Sequence, residues 1–96
     1  MHIKLMPQRR DERLIVSKSG DALIINNEVF DFSVIPDGAV LPASAVNSEW
    51  ITGNIYREDG NLYLTLLLPH GPNPSQAVAF PAELINPADG PLELPQ

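Results

Sequence analysis

The sequence predicts an all-β domain, a small antiparallel sandwich or barrel built from β-hairpins with no significant helix. Three observations carry that prediction. Asp59-Gly60 separates two apolar runs, and an Asp-Gly pair in that setting is the strongest short-range hairpin signal, because a two-residue I′ turn needs φ > 0 at both central positions. A register centred on that turn sorts the flanking residues into two chemically different faces. Turn residues recur at short intervals (Ser19-Gly20-Asp21, Asn26-Asn27, Asp37-Gly38, Asp89-Gly90), and no stretch shows the apolar period of an amphipathic helix.

Residues 1–6 alternate, with Ile3 and Leu5 on one side and His2, Lys4 and Met6 on the other, so a short strand is expected to end at Pro7. Gln8–Glu12 has no apolar face and reads as a loop. Arg13–Ser17 and Ala22–Asn26 form a hairpin around Ser19-Gly20-Asp21, with a loop of two or four residues. Either loop places Leu14, Val16, Leu23 and Ile25 on one face. Asn26-Asn27 is the next turn, both residues tolerating the left-handed conformation. Glu28–Phe32 then completes a three-stranded meander with Phe30 and Phe32 in phase with Leu23 and Ile25. Ile35-Pro36-Asp37-Gly38 is a turn, Ala39–Leu41 a brief extension, and the Pro42–Val46 segment a helical turn with proline in first position.

The long hairpin runs from Glu49 to Pro69. With Asp59 and Gly60 in the loop, Tyr56 faces Tyr63, Ile55 faces Leu64, Gly53 faces Leu66 and Ile51 faces Leu68. One face collects Ile51, Ile55, Leu62, Leu64, Leu66 and Leu68; the other collects Trp50, Thr52, Asn54, Tyr56, Tyr63 and Thr65. Three prolines in Pro69–Pro74 exclude regular structure there. Gln76–Phe80 reads as a strand with Val78 and Phe80 inward, and Leu92 and Leu94 as a short edge strand. The 96 residues thus make one domain, residues 1–96, whose segment 69–96 is proline-rich and partly irregular. That length buries roughly 60–65% of its unfolded surface.

Composition bounds function. A net charge of −6 and a pI near 4.6 argue against a nucleic-acid binder, which needs Lys and Arg to neutralise phosphates. No run approaches the ~20 apolar residues of a membrane-spanning helix, the first ten residues lack a signal-peptide core, and cysteine is absent. Five of the six basic residues lie in the first eighteen positions. They are either a solvated cluster or a basic edge that meets an acidic surface on another copy or a partner. His2 and His70 lack metal-ligand spacing, and Ser19-Gly20 and Asp37-Gly38 belong to turns. Of the imaginable acid–base pairs, Asp31 with Asp37 and Glu58 with Asp59, the second sits at an exposed hairpin tip with nothing to desolvate it. No enzyme, metal or cofactor is expected. Trp50, Tyr56 and Tyr63 are the candidate site: all the Trp and Tyr of the chain on one hairpin face. That face is either covered as a second core or exposed as a protein or carbohydrate interface.

Several stretches are similar to small proteins encoded among the tail genes of tailed bacteriophages and prophages. They are I-K-L-M-P-Q-R-R-D at 3–11, L-I-V-S-K-S-G-D at 14–21, V-F-D-F-S-V-I-P-D-G at 29–38, L-P-A-S-A at 41–45, S-E-W-I at 48–51 and L-L-L-P-H-G-P-N at 66–73. The resemblance implies a tail or tail-fibre component, or an accessory in its assembly, acting through contacts with other tail proteins. It places the protein in the bacterial host cytoplasm during assembly and in the virion tail. It carries over no functional residue. The alternative is a small receptor- or carbohydrate-binding module using Trp50, Tyr56 and Tyr63. Free strand edges at residues 1–6 or 28–32 would favour self-association by strand addition.

Overall fold

A computed structural model describes residues 1–95. Its strands are β1 (His2–Arg9), β2 (Val16–Ser19), β3 (Ala22–Ile25), β4 (Glu28–Asp31), β5 (Val40–Leu41), β6 (Ile51–Glu58), β7 (Asn61–His70), β8 (Leu84–Ile85) and β9 (Gly90–Pro91). A 3₁₀ turn spans Ala43–Ala45, and one helical turn, α1, spans Gln76–Ala79. The strands form a five-stranded sheet in the order β5-β6-β7-β1-β8 and a four-stranded sheet in the order β4-β3-β2-β9. The chain is all-β, its sheets rich in antiparallel pairs. The exception is β1, which lies parallel to β7.

The β6–β7 hairpin turns as expected, with φ of 51° at Asp59 and 80° at Gly60. Tyr56 opposes Tyr63, but Ile51 opposes Leu66 rather than Leu68. Between Thr52 and Tyr56, β6 spends three residues where β7 spends one, Leu64. Gly53 permits this bulge with φ of 74°. A shift of two residues preserves side-chain alternation, so Ile51, Ile55, Leu62, Leu64, Leu66 and Leu68 all point inward and are buried. No atom would touch a Cβ at Gly53, so Gly53→Ala should cost only the left-handed backbone term, about 1–2 kcal/mol. A urea midpoint equal to that of the wild type would contradict this.

The meander is β2-β3-β4. Gly20-Asp21 is a two-residue loop, since Ser19 pairs with Ala22, and Asn26 and Asn27 both have positive φ. Leu14, Val16, Leu23, Ile25 and Phe32 join the leucine face of the larger sheet, with Ile3 and Leu5, in one core. Burying each such side chain contributes about 1.5–3 kcal/mol.

Five expectations need correction. β1 does not stop at Pro7. Met1 O accepts from Asn86 N on the β8 side, and Arg10 N donates to His70 O on the β7 side. Backbone groups alternate, so Pro7 faces away from β7, beyond the end of β8, where a missing N–H costs no ladder bond. For the same reason β7 continues through Pro69 to His70: Leu67 N donates to Trp50 O, so Pro69 faces past the start of β6. Of residues 1–6, the first three are therefore not a free edge, because β1 has β7 on one side and, at His2 and Ile3, β8 on the other, whereas Lys4, Leu5 and Met6 pair with β7 alone; β4 does end its sheet. Finally, Gln76–Phe80 is helical rather than extended. Ser75 caps it by accepting from Val78 N, Val78 is buried, and Phe80 is exposed. The terminal strand also differs in place: β9 is Gly90–Pro91, and Leu92 N donates to Val16 O just after it.

Three of the five N-terminal cations are matched within the chain. Arg10 pairs with Glu12 and Glu49, Lys18 with Asp89, and Arg9 with Asp11. The Arg10 hydrogen bond holds the Glu12 carboxyl below its ordinary value, and hydrogen bonds from Lys18 and Gly20 N do the same for Asp89. Asp31 is lowered by the Ser33 backbone N–H. Depressed carboxylates contribute stability that is present at neutral pH and lost as pH falls through their folded values. The thermal midpoint should therefore decline below about pH 4; an unchanged midpoint at pH 2 would contradict the assignment.

Candidate functional site

The sequence-predicted trio is not one surface. Tyr56 and Tyr63 stack on the outer face of the larger sheet, ring centroids 4.8 Å apart and planes 8° from parallel. Trp50 is 6% exposed and belongs to the core. It sits in the turn just before β6, where strand alternation does not apply, and its N–H donates to Ser48 Oγ. Ile25, Phe30 and Trp50 line the same crevice between the sheets. The Arg10 guanidinium lies 4.4 Å from the Trp50 ring centroid, held there by Glu12 and Glu49.

The outer face instead carries a row that crosses all five strands. The pairings are Val40 with Tyr56, Tyr56 with Tyr63, Tyr63 with His2, and His2 with Ile85. Directly opposed residues on neighbouring strands share a face, so β5, β6, β7, β1 and β8 each contribute one side chain. His2 extends the stack, its ring 4.7 Å from Tyr63 and tilted by 25°. The row ends in two exposed aliphatic side chains, Val40 at 59% and Ile85 at 61%. Beside it, Lys4, Asn54, Thr65 and Glu83 line a groove of about 50 Å³, with Glu83 3.8 Å from His2 Nδ1. Met6 lies next to Leu67 on the same face, two residues along β1 from Lys4, and is 49% exposed.

His2, Val40 and Ile85 escaped the sequence reading. The alternation of β1 put His2 on the solvent side, but nothing local indicates that β1 lies against β7 or that Leu84–Ile85 is a strand. Rows of this kind are made by long-range register.

Two of the four carboxylates considered for acid–base work have structural partners. Asp31 caps Ser33 N, and Asp37 accepts from Gly60 N and so braces the tip of the β6–β7 hairpin. His70 Nδ1 lies 2.7 Å from Gly71 O. A hollow of about 800 Å³ lies between the Arg10–Val16 loop, His70 and the Pro91–Pro95 segment, apart from the Tyr56–Tyr63 row. Among the described residues there is no group of three His, Asp or Glu placed to hold a metal ion, and no helix is long and apolar enough to cross a membrane. Neither a family model, nor a curated protein, nor a solved structure matches this chain.

Proposed function

We propose that this chain is a structural or assembly protein of a phage or prophage tail, working through protein–protein contacts with itself and with other tail proteins, in the host cytoplasm during assembly and in the virion tail. The observation that carries the reading is the edge-to-edge row Val40-Tyr56-Tyr63-His2-Ile85 on an open sheet face. A sheet with one face on the core ordinarily shows a polar face to water. Rows of rings and aliphatic side chains there supply the rigid, amphipathic anchors of protein interfaces. The similarity to tail-gene proteins supplies the context.

A receptor- or carbohydrate-binding module is the second reading, favoured by the polar groups of the groove beside Tyr56 and Tyr63. It fits less well, because those two rings spend their faces on each other and Trp50 is inside the core.

Mass spectrometry of purified particles, with and without the gene, tests the first reading. A fixed copy number per particle, or particles that fail to complete tails when the gene is deleted, is expected. Infectious particles that never contain the chain and form normally without it would contradict it.

A further inference from the structure

We propose that the open face of the five-stranded sheet is the contact between two copies of this chain, packed about a two-fold axis that runs along the strands through Tyr63. The proposal rests on the protein-contact reading above and names its partner.

The row reads the same from both ends in chemical terms: aliphatic, ring, ring, ring, aliphatic. Turned over about β7, it lays Val40 on the partner's Ile85, Tyr56 on the partner's His2, and Tyr63 on the partner's Tyr63. An isologous interface requires this kind of self-complementary patch.

Charge permits the approach. The chain carries a net −6, yet near the row the ionic side chains are Lys4 and Glu83 on one flank and Glu58 at the hairpin tip. About the proposed axis, Lys4 falls opposite the partner's Thr52 and Asn54, and Glu58 falls beyond the start of β1. No like charges meet. Depletion of charge with enrichment of Tyr and Met is the composition of an interface centre.

The shape of the face chooses between the two possible axes. The row lies at the beginning of β1, and the face extends from it past Thr65 and Lys4 to Leu67 and Met6. An axis along the row would overlay the row alone. An axis along the strands overlays the whole face, about 19 Å across five strands at the row, where β5 and β8 have two residues each, and three strands wide along the rest of the roughly 26 Å β1–β7 pairing. That footprint is below the roughly 1,200 Å² at which stable specific interfaces begin, so the dimer is a weak one that fills as concentration rises.

Sedimentation velocity on the whole chain tests the proposal with two variants that place charges at the exposed row ends. The wild type is expected to approach twice the 10.5 kDa chain mass as concentration rises. V40K/I85K places like charges opposite each other at both ends of the row and should weaken association at least ~10-fold. V40K/I85E places opposite charges there and should associate at least as well as the wild type. Circular dichroism of both variants should match the wild type, because Val40 and Ile85 are exposed. A wild-type mass of one chain up to millimolar concentration, or equal weakening by both variants, would overturn the dimer. A monomer that is still a fixed-copy particle component overturns the dimer alone; a dimer absent from particles and dispensable for them overturns the tail reading alone.

Discussion

Trp50→Ala is expected to destabilise the chain by about 3–5 kcal/mol, the range for deleting a buried aromatic side chain. Trp50 is 6% exposed, lines the crevice shared with Ile25 and Phe30, and carries the Arg10 guanidinium on its ring. Its removal opens a cavity and leaves Arg10 with Glu12 and Glu49 but no ring beneath it. Domains of this size hold only about 5–15 kcal/mol in all, so the variant should be partly unfolded near body temperature. Tyr63→Ala is the control. It forfeits two stacked pairs, worth about 0.5–1.5 kcal/mol each beyond area, from the open face rather than the core. Urea unfolding of both variants decides the matter: a Trp50→Ala midpoint no lower than that of Tyr63→Ala would contradict the burial of Trp50.

Arg57→Met should cost about 2–4 kcal/mol, although the lost group is a cation on a hairpin strand. Arg57 Nε donates to Ile35 O at 2.6 Å, Nη1 to Gly60 O, and Nη2 to both Phe32 O and the Asp21 carboxylate. One guanidinium thereby ties the Phe32–Ile35 segment and the β2–β3 loop to the larger sheet, while its side chain is 13% exposed. Hydrogen bonds to charged groups contribute roughly 1.5–3 kcal/mol each but do not add when they share a donor. Methionine keeps the packing of the stem and removes every donor, so the Ile35 carbonyl loses its Arg57 partner and the Phe32 carbonyl keeps only the Ile35 N–H. Arg57→Lys should recover only part of the loss, because an ammonium cannot span four acceptors in the fork geometry of a guanidinium. Equal unfolding midpoints for wild type and Arg57→Met would show that the clamp carries no stability.

What the sequence made legible was local. Asp59-Gly60, Asn26-Asn27 and Gly20-Asp21 specify their turns through φ preference, and the leucine alternation on β7 specifies a buried face. Parity survived even where register did not, because the bulge at Gly53 inserts an even number of residues. The rest depended on partners distant in the chain. Pro7 and Pro69 looked like strand ends because the parallel pairing of β1 with β7, which carries both strands past their prolines, has no local signal. Gln76–Phe80 alternates well enough for a strand, but Ser75 behind Pro74 supplies a helix cap and tips the balance. Trp50 was assigned by alternation to the face of Tyr56, yet it precedes the strand and turns inward. Only Tyr56 and Tyr63 of the outer row were visible beforehand, since Val40, His2 and Ile85 join it through pairings that span up to 83 positions.

The claim that the outer row is a contact surface is tested most directly by following its side chains in solution. Resonances of the Tyr56 and Tyr63 rings, the His2 ring, and the Val40 and Ile85 methyl groups can be recorded by NMR as the chain is concentrated. The account predicts shifts that grow together, fit one dissociation constant, and leave the buried methyls of Leu23 and Val16 unchanged. Row resonances that stay fixed at every concentration while the mass remains that of one chain would contradict it.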